Sequence, residues 1–198
     1  MKQRIIRITL LISLFVLLIF VNMPLMDKNK TKTYTLPGLP RPIAEEPVII
    51  TSAGQSTDTY IIRDVSNQLM IRSFFMPQAR SADLKEAKTI VLVVGYSSLG
   101  TKLQSKSYEE EKMRIEKLIE KAKENNSTIL TVVMGGEQSH NNTEELLRLI
   151  GTQSDYMIGL RESSNESILT ELAKERDIPL TLVSGVNDIS EPFASAFR

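Results

Sequence analysis

Short apolar runs rich in β-branched residues alternate along this chain with stretches of helical periodicity, and that alternation restricts it to crossover units built on a parallel sheet. The runs are Val48–Ser52, Ile71–Phe75, Thr89–Val94, Ile129–Met134, Tyr156–Gly159 and Leu180–Val183. The segments between them carry helix signals. A first helix follows Ser56, with Ile61, Val65 and Leu69 inward. Ser107 and Glu110 form a capping box ahead of Ile115, Leu118, Ile119 and Ala122, which recur at the spacing of one buried face. Further helices are predicted from Asn142 to Gly151 and from near Asn165 to Arg176, and the link from Met76 to Lys88 has room for a short one. The expected fold is a doubly wound, mostly parallel α/β sheet of about six strands, Rossmann-like or flavodoxin-like, forming one domain over residues 47–198.

What precedes the domain has a different character. Lys2, Arg4 and Arg7 stand before an uncharged run of 19 residues, Ile8 to Met26. As a helix that run is long enough to cross a hydrocarbon core of about 30 Å. No small-x-small cleavage site follows it, so residues 1–26 are expected to be an uncleaved signal anchor, with secretion after cleavage as the alternative. The expected location is a cell membrane, crossed once, with the C-terminal domain on the extracytoplasmic side. Lys28, Lys30 and Lys32 nearly balance the charges before the run, which weakens the charge signal for orientation. Residues 27–46 turn polar and proline-rich, with Pro37, Pro40 and Pro42, and read as an extended spacer.

Composition removes several classes of chemistry. There is no cysteine and His140 is the only histidine, so disulfides, thiolate catalysis, cysteine zinc sites and two-histidine metal sites cannot be built from one chain. The formal net charge of zero is unevenly spread. Residues 1–44 hold seven Lys/Arg against Asp27 alone, leaving 17 against 23 acids in the remainder. A mildly acidic domain without a basic stripe is a poor match to nucleic acid. Six glutamates interleaved with four lysines and an arginine from Glu109 to Glu124 read as a solvated helix face.

In folds of this class ligands bind outside the carboxyl ends of the strands, so the loops there are the candidates. Ser52, Gly54, Gln55 and Ser56 are small or polar and lead into a helix whose free N–H groups favour an anion. Gly95, Ser97 and Ser98 follow the third strand. The stretch from Gly95 to Lys102 approaches a phosphate loop but reverses its final Lys and Ser/Thr, which argues against nucleotide hydrolysis. It also lacks the second glycine of a hydrolase elbow, since Leu99 stands there. Gly135, Gly136 and Glu137 follow the fourth strand, and Glu137 with His140 is a weak candidate for proton transfer. Arg161, after the fifth strand, offers a fork for a carboxylate or phosphate. Asp58, Glu137 and Asp188 do not form a calcium-type loop, so neither a metal nor a cofactor is expected.

With the uncharged run, the Thr51–Ser56 turn, the Gly95–Gly100 loop and the Gly135-Gly136-Glu137 turn in place, the chain resembles an uncharacterised family of exported bacterial α/β domains over roughly Glu46 to Asp188. That resemblance implies the fold and the location and carries no catalytic residue across. The function expected is capture of a small polar or anionic ligand by a membrane-tethered domain serving a transporter or another envelope protein. The alternatives are a protein-interaction domain in the envelope and a hydrolase or transferase using His140. An enzyme is the less favoured outcome.

Overall fold

The computed structural model describes residues 33–34, 38–135 and 140–198, with Thr33, Tyr34 and His140 described by their backbone only. The uncharged run at 8–26, read above as an anchor, lies outside the described residues. Among the described residues no helix is long and apolar enough to cross a membrane.

Seven strands form one all-parallel sheet. They are β1 (Thr33–Tyr34), β2 (Val48–Ala53), β3 (Ser73–Phe75), β4 (Thr89–Val94), β5 (Thr128–Val133), β6 (Tyr156–Leu160) and β7 (Leu180–Val183). Their order across the sheet is β1-β7-β6-β5-β4-β2-β3. The six longer strands match the six apolar runs, and β1 is a two-residue addition at the far edge. The helices are α1 (Thr59–Gln68), α2 (Ser98–Leu103), α3 (Tyr108–Glu124), α4 (His140–Gly151), α5 (Glu166–Arg176) and α6 (Ser190–Ser195). Short 3₁₀ turns occupy Ser81–Leu84 and Val186–Ile189.

The β-branched runs become strands because both faces of the sheet are covered, which leaves no polar position to alternate with. On one face Ile49, Ile90, Leu92 and Ile129 pack against Ile115 and Leu118 of α3, Leu146 of α4 and Leu169 of α5. On the other face Val48, Ile50, Val91 and Val93 meet Ile62 and Val65 of α1 and Phe193 of α6. Ser107 caps α3 as its sequence predicts, its side chain accepting from the Glu110 N–H at 3.1 Å while Glu110 accepts from the Ser107 N–H at 2.7 Å. Ser107→Ala should lower stability by about 1 kcal/mol, read as a lower midpoint in chemical unfolding with an unchanged slope.

Two segments take on more structure than composition suggested. From Gly38 onward the proline-rich stretch lies against the domain. Leu39 and Ala44 are buried, and the N–H groups of Ile43 and Ala44 both donate to the Ala196 carbonyl. The tail beyond Asp188 forms α6 and buries Phe193 completely.

Candidate functional site

Strand order decides where the carboxyl edge opens. From β2 the chain first crosses outward to β3, then returns past β2 to β4 and proceeds through β5, β6 and β7. The direction of winding therefore reverses between β2 and β4, the position at which sheets of this class commonly bind ligands. The two loops at that point are Gly54–Ser56 and Gly95–Ser97.

These loops are locked to each other. The Gly95 N–H donates to the Ala53 carbonyl at 3.0 Å and the Ser97 N–H to the Gly54 carbonyl at 2.7 Å. Gly54 has φ +95, and a Cβ there would lie 2.8 Å from the Gly95 carbonyl oxygen and 2.9 Å from Tyr96 Cα. Close backbone approach accounts for this glycine before any ligand is invoked. Ser97 caps α2, its hydroxyl accepting from the Gly100 N–H at 3.0 Å. Ser98 opens that helix and is half-buried. Tyr96 is held from α4, its N–H donating to Thr143 Oγ1 at 3.1 Å.

Beneath Gly54 and Gln55 lies a buried ion pair. Glu111 is fully buried, and its Oε1 accepts from the Gly54 N–H at 2.9 Å and from Arg114 Nη2 at 2.6 Å. Its Oε2 accepts from Gln55 Nε2 and from Arg114 Nε, both at 2.9 Å. Arg114 turns its remaining donors to the carbonyls of Ser52 at 2.5 Å and Ala79 at 2.8 Å, and to Thr51 Oγ1 at 3.4 Å. Every oxygen and every guanidinium nitrogen in the pair is therefore occupied, which a buried charge requires. Burial by itself would raise the Glu111 carboxyl. The Arg114 contacts, followed by those from Gly54 and Gln55, hold it below its ordinary value of 4.5. Both residues fall in the charge run read above as a solvated face, and for these two that reading is corrected.

Both loops lie beside the start of α1. Ser56 sits over Gly95, whose Cβ, if present, would stand 3.0 Å from Ser56 Oγ and 4.0 Å from the Gly135 carbonyl oxygen. Ser56 Oγ accepts from the Asp58 N–H at 3.2 Å, so the loop hands directly into the first turn of the helix. Burial raises the Asp58 carboxyl above its ordinary 3.8, and the Ser56 hydrogen bond offsets part of this. Gly135 has φ +102, and no described residue lies within 4 Å of where its Cβ would be.

The other candidates are dispersed. Ser52 is buried, and its hydroxyl finds no partner among the described residues. Arg161 is exposed, and its Nε donates to the Leu182 carbonyl at 3.2 Å, which directs it along the edge toward β7. Gly136 and Glu137 lie outside the described residues, as does the His140 side chain, so the proposed Glu137–His140 pairing has no geometry to report. Two cavities among the described residues lie elsewhere. One of about 310 Å³ is beside β3, and one of about 520 Å³ lies at the amino ends of β5 and β6, lined by Thr128, Gln153 and Asp155.

An open, all-parallel, Rossmann-like α/β domain with glycine loops meeting at its switch point is the class these features define. The chain belongs to the DUF6305 family, described as a domain of unknown function, whose model matches residues 45–197. No curated protein and no solved structure matches the chain.

Proposed function

We propose that the domain binds a small polar or anionic ligand over the start of α1, between Ser56, Gly95 and Gly135, and that the uncharged run at 8–26 tethers it to the outer face of a membrane. One observation carries the reading of the site: loops from three adjacent strands, β2, β4 and β5, converge where the winding reverses, with no described residue against Gly135. The amino end of α1 supplies a positive dipole end, with the Asp58 N–H turned to Ser56 Oγ and the Tyr60 and Ile61 N–H groups to the Thr57 and Asp58 carbonyls. The tether rests on the length of the uncharged run alone. A domain so placed suits the capture of a solute for a transporter or sensor in the same membrane.

The test is thermal unfolding of the full chain against inorganic phosphate, sulfate, small carboxylates, sugars and divalent cations. A ligand held by the native state alone, present at about 100 times its Kd, adds about 2.7 kcal/mol. For a domain of this size that corresponds to a rise of roughly 5–10 °C. Ser56→Ala should reduce the rise without moving the ligand-free midpoint by more than a degree or two. A flat response across the panel would count against a small-molecule ligand and leave a protein partner as the reading to pursue.

A further inference from the structure

The two edges of the sheet are treated differently. The β7 edge is paired by Thr33–Tyr34, whereas among the described residues β3 is hydrogen-bonded on one side only, to β2. The Val48 N–H donates to the Arg72 carbonyl and the Met76 N–H to the Ile50 carbonyl, so residues 72, 74 and 76 face inward. Ser73 and Phe75, between them, turn their own N–H and C=O groups outward along an unpaired edge.

Apolar side chains stand beside this edge on both faces. On one, Phe74 is 55% exposed and borders the cavity of about 310 Å³, lined also by Pro47, Ile49, Met76 and Ala87. On the other, Tyr60 is 49% exposed and tilts against Phe75 at 5.0 Å between ring centroids, with the Arg63 guanidinium 5.1 and 5.2 Å from the two rings. Exposed aromatic groups flanking open main-chain groups, with a side-chain-sized recess alongside, are the parts used in recognition by strand addition.

We infer that the β3 edge docks an extended peptide segment of a partner protein, one of whose apolar side chains enters the Phe74–Met76 cavity. The extent of the edge selects the occupant. Three residues at about 3.3 Å each give an edge near 10 Å long, and pairing two such edges falls well short of the roughly 800 Å² per partner that a stable dimer needs. A second copy of this chain is therefore not the occupant. Asp83, Lys85 and Glu86 also line the recess, while Pro47, Ile49, Phe74, Met76, Ala82 and Ala87 give it apolar walls that favour an apolar side chain.

Fluorescence anisotropy tests this with the full chain and labelled octapeptides of alternating Val and Thr that carry Leu, Phe or Lys at the centre. The Leu- and Phe-centred peptides should bind at least tenfold more tightly than the Lys-centred one. Phe74→Glu, which closes the recess to an apolar group, and Ser73→Pro, which removes an outward N–H without touching the β2 ladder, should each weaken them at least tenfold. Leu103→Glu, on the exposed side of α2, should leave binding unchanged. Thermal midpoints of the variants check that each is folded. No binding of any peptide by the unaltered chain, or equal binding by both folded edge variants, overturns the inference.

Discussion

Replacing Glu111 with Ala is expected to lower the stability of the domain by about 3–5 kcal/mol. The cost lies less in the lost attraction than in what remains. Arg114, with only 8% of its side chain exposed, would keep its charge and lose its counterion, and the Gly54 N–H would be left buried without an acceptor. Urea unfolding measures the loss. Glu111→Leu combined with Arg114→Met should recover much of it, because paired removal leaves neither charge uncompensated. The double variant should still carry a looser Gly54–Gln55 turn, seen as faster amide exchange there.

The same pair sets a pH dependence. A carboxyl whose folded pKa lies below its ordinary 4.5 contributes stability that is fully present above that value and is lost as pH falls through the folded pKa. Unfolding midpoints of the unaltered chain should therefore decline on acidification below about pH 4.5. That component should be missing from Glu111→Ala. An identical acid decline in both proteins would show that other carboxylates dominate.

Gly54→Ala should have an effect of similar size. The strained backbone conformation costs about 1–3 kcal/mol for a residue with a Cβ, and forcing the methyl group against Gly95 and Tyr96 adds about 1–3 kcal/mol. The atoms it would meet are chiefly backbone, which cannot step aside as the end of a flexible side chain can. Gly95→Ala is the informative contrast. Its nearest neighbour is the Ser56 side chain, which can rotate away, so the stability cost should be smaller while the opening over α1 is narrowed. Thermal unfolding of the two variants side by side checks this ordering.

The strands were legible because a parallel sheet covered on both faces demands continuous apolar runs, and the runs from Val48, Thr89 and Leu180 begin where the observed strands do. The run at Ile71 overshoots because the Ile71 N–H donates to the Ser66 carbonyl, which makes it part of the α1 ending before β3 begins at Ser73. Helix α2 went unread for the opposite reason. Leu99 and Leu103 are exposed, Thr101 is the buried residue, and the helix rests on the Ser97 cap with no apolar stripe to announce it. Strand order, and with it the switch point, depends on contacts between residues far apart in sequence, which no local pattern encodes.

The site was legible in its glycines and hidden in its charges. Glu111 precedes Ile115, Leu118 and Ala122 by four, seven and eleven positions, which puts it on the buried stripe of α3. A carboxylate at a core position was the available signal, and its Arg114 partner one turn on was the second. Both were masked by the surrounding glutamates and lysines, which do face solvent. The segment from Gly38 to Ala44 was masked by its prolines, although it buries Gly38, Leu39 and Ala44.

The central claim is that ligand is held at the reversal between β2 and β4, and backbone amide NMR of residues 38–198 titrated with inorganic phosphate and small dicarboxylates tests it most directly. The account predicts saturable shifts concentrated at Ser56 to Asp58, Gly95 to Ser98 and Gly135, and their loss in Ser56→Ala. Saturable shifts confined to another part of the domain, or none with any of these ligands, would contradict it.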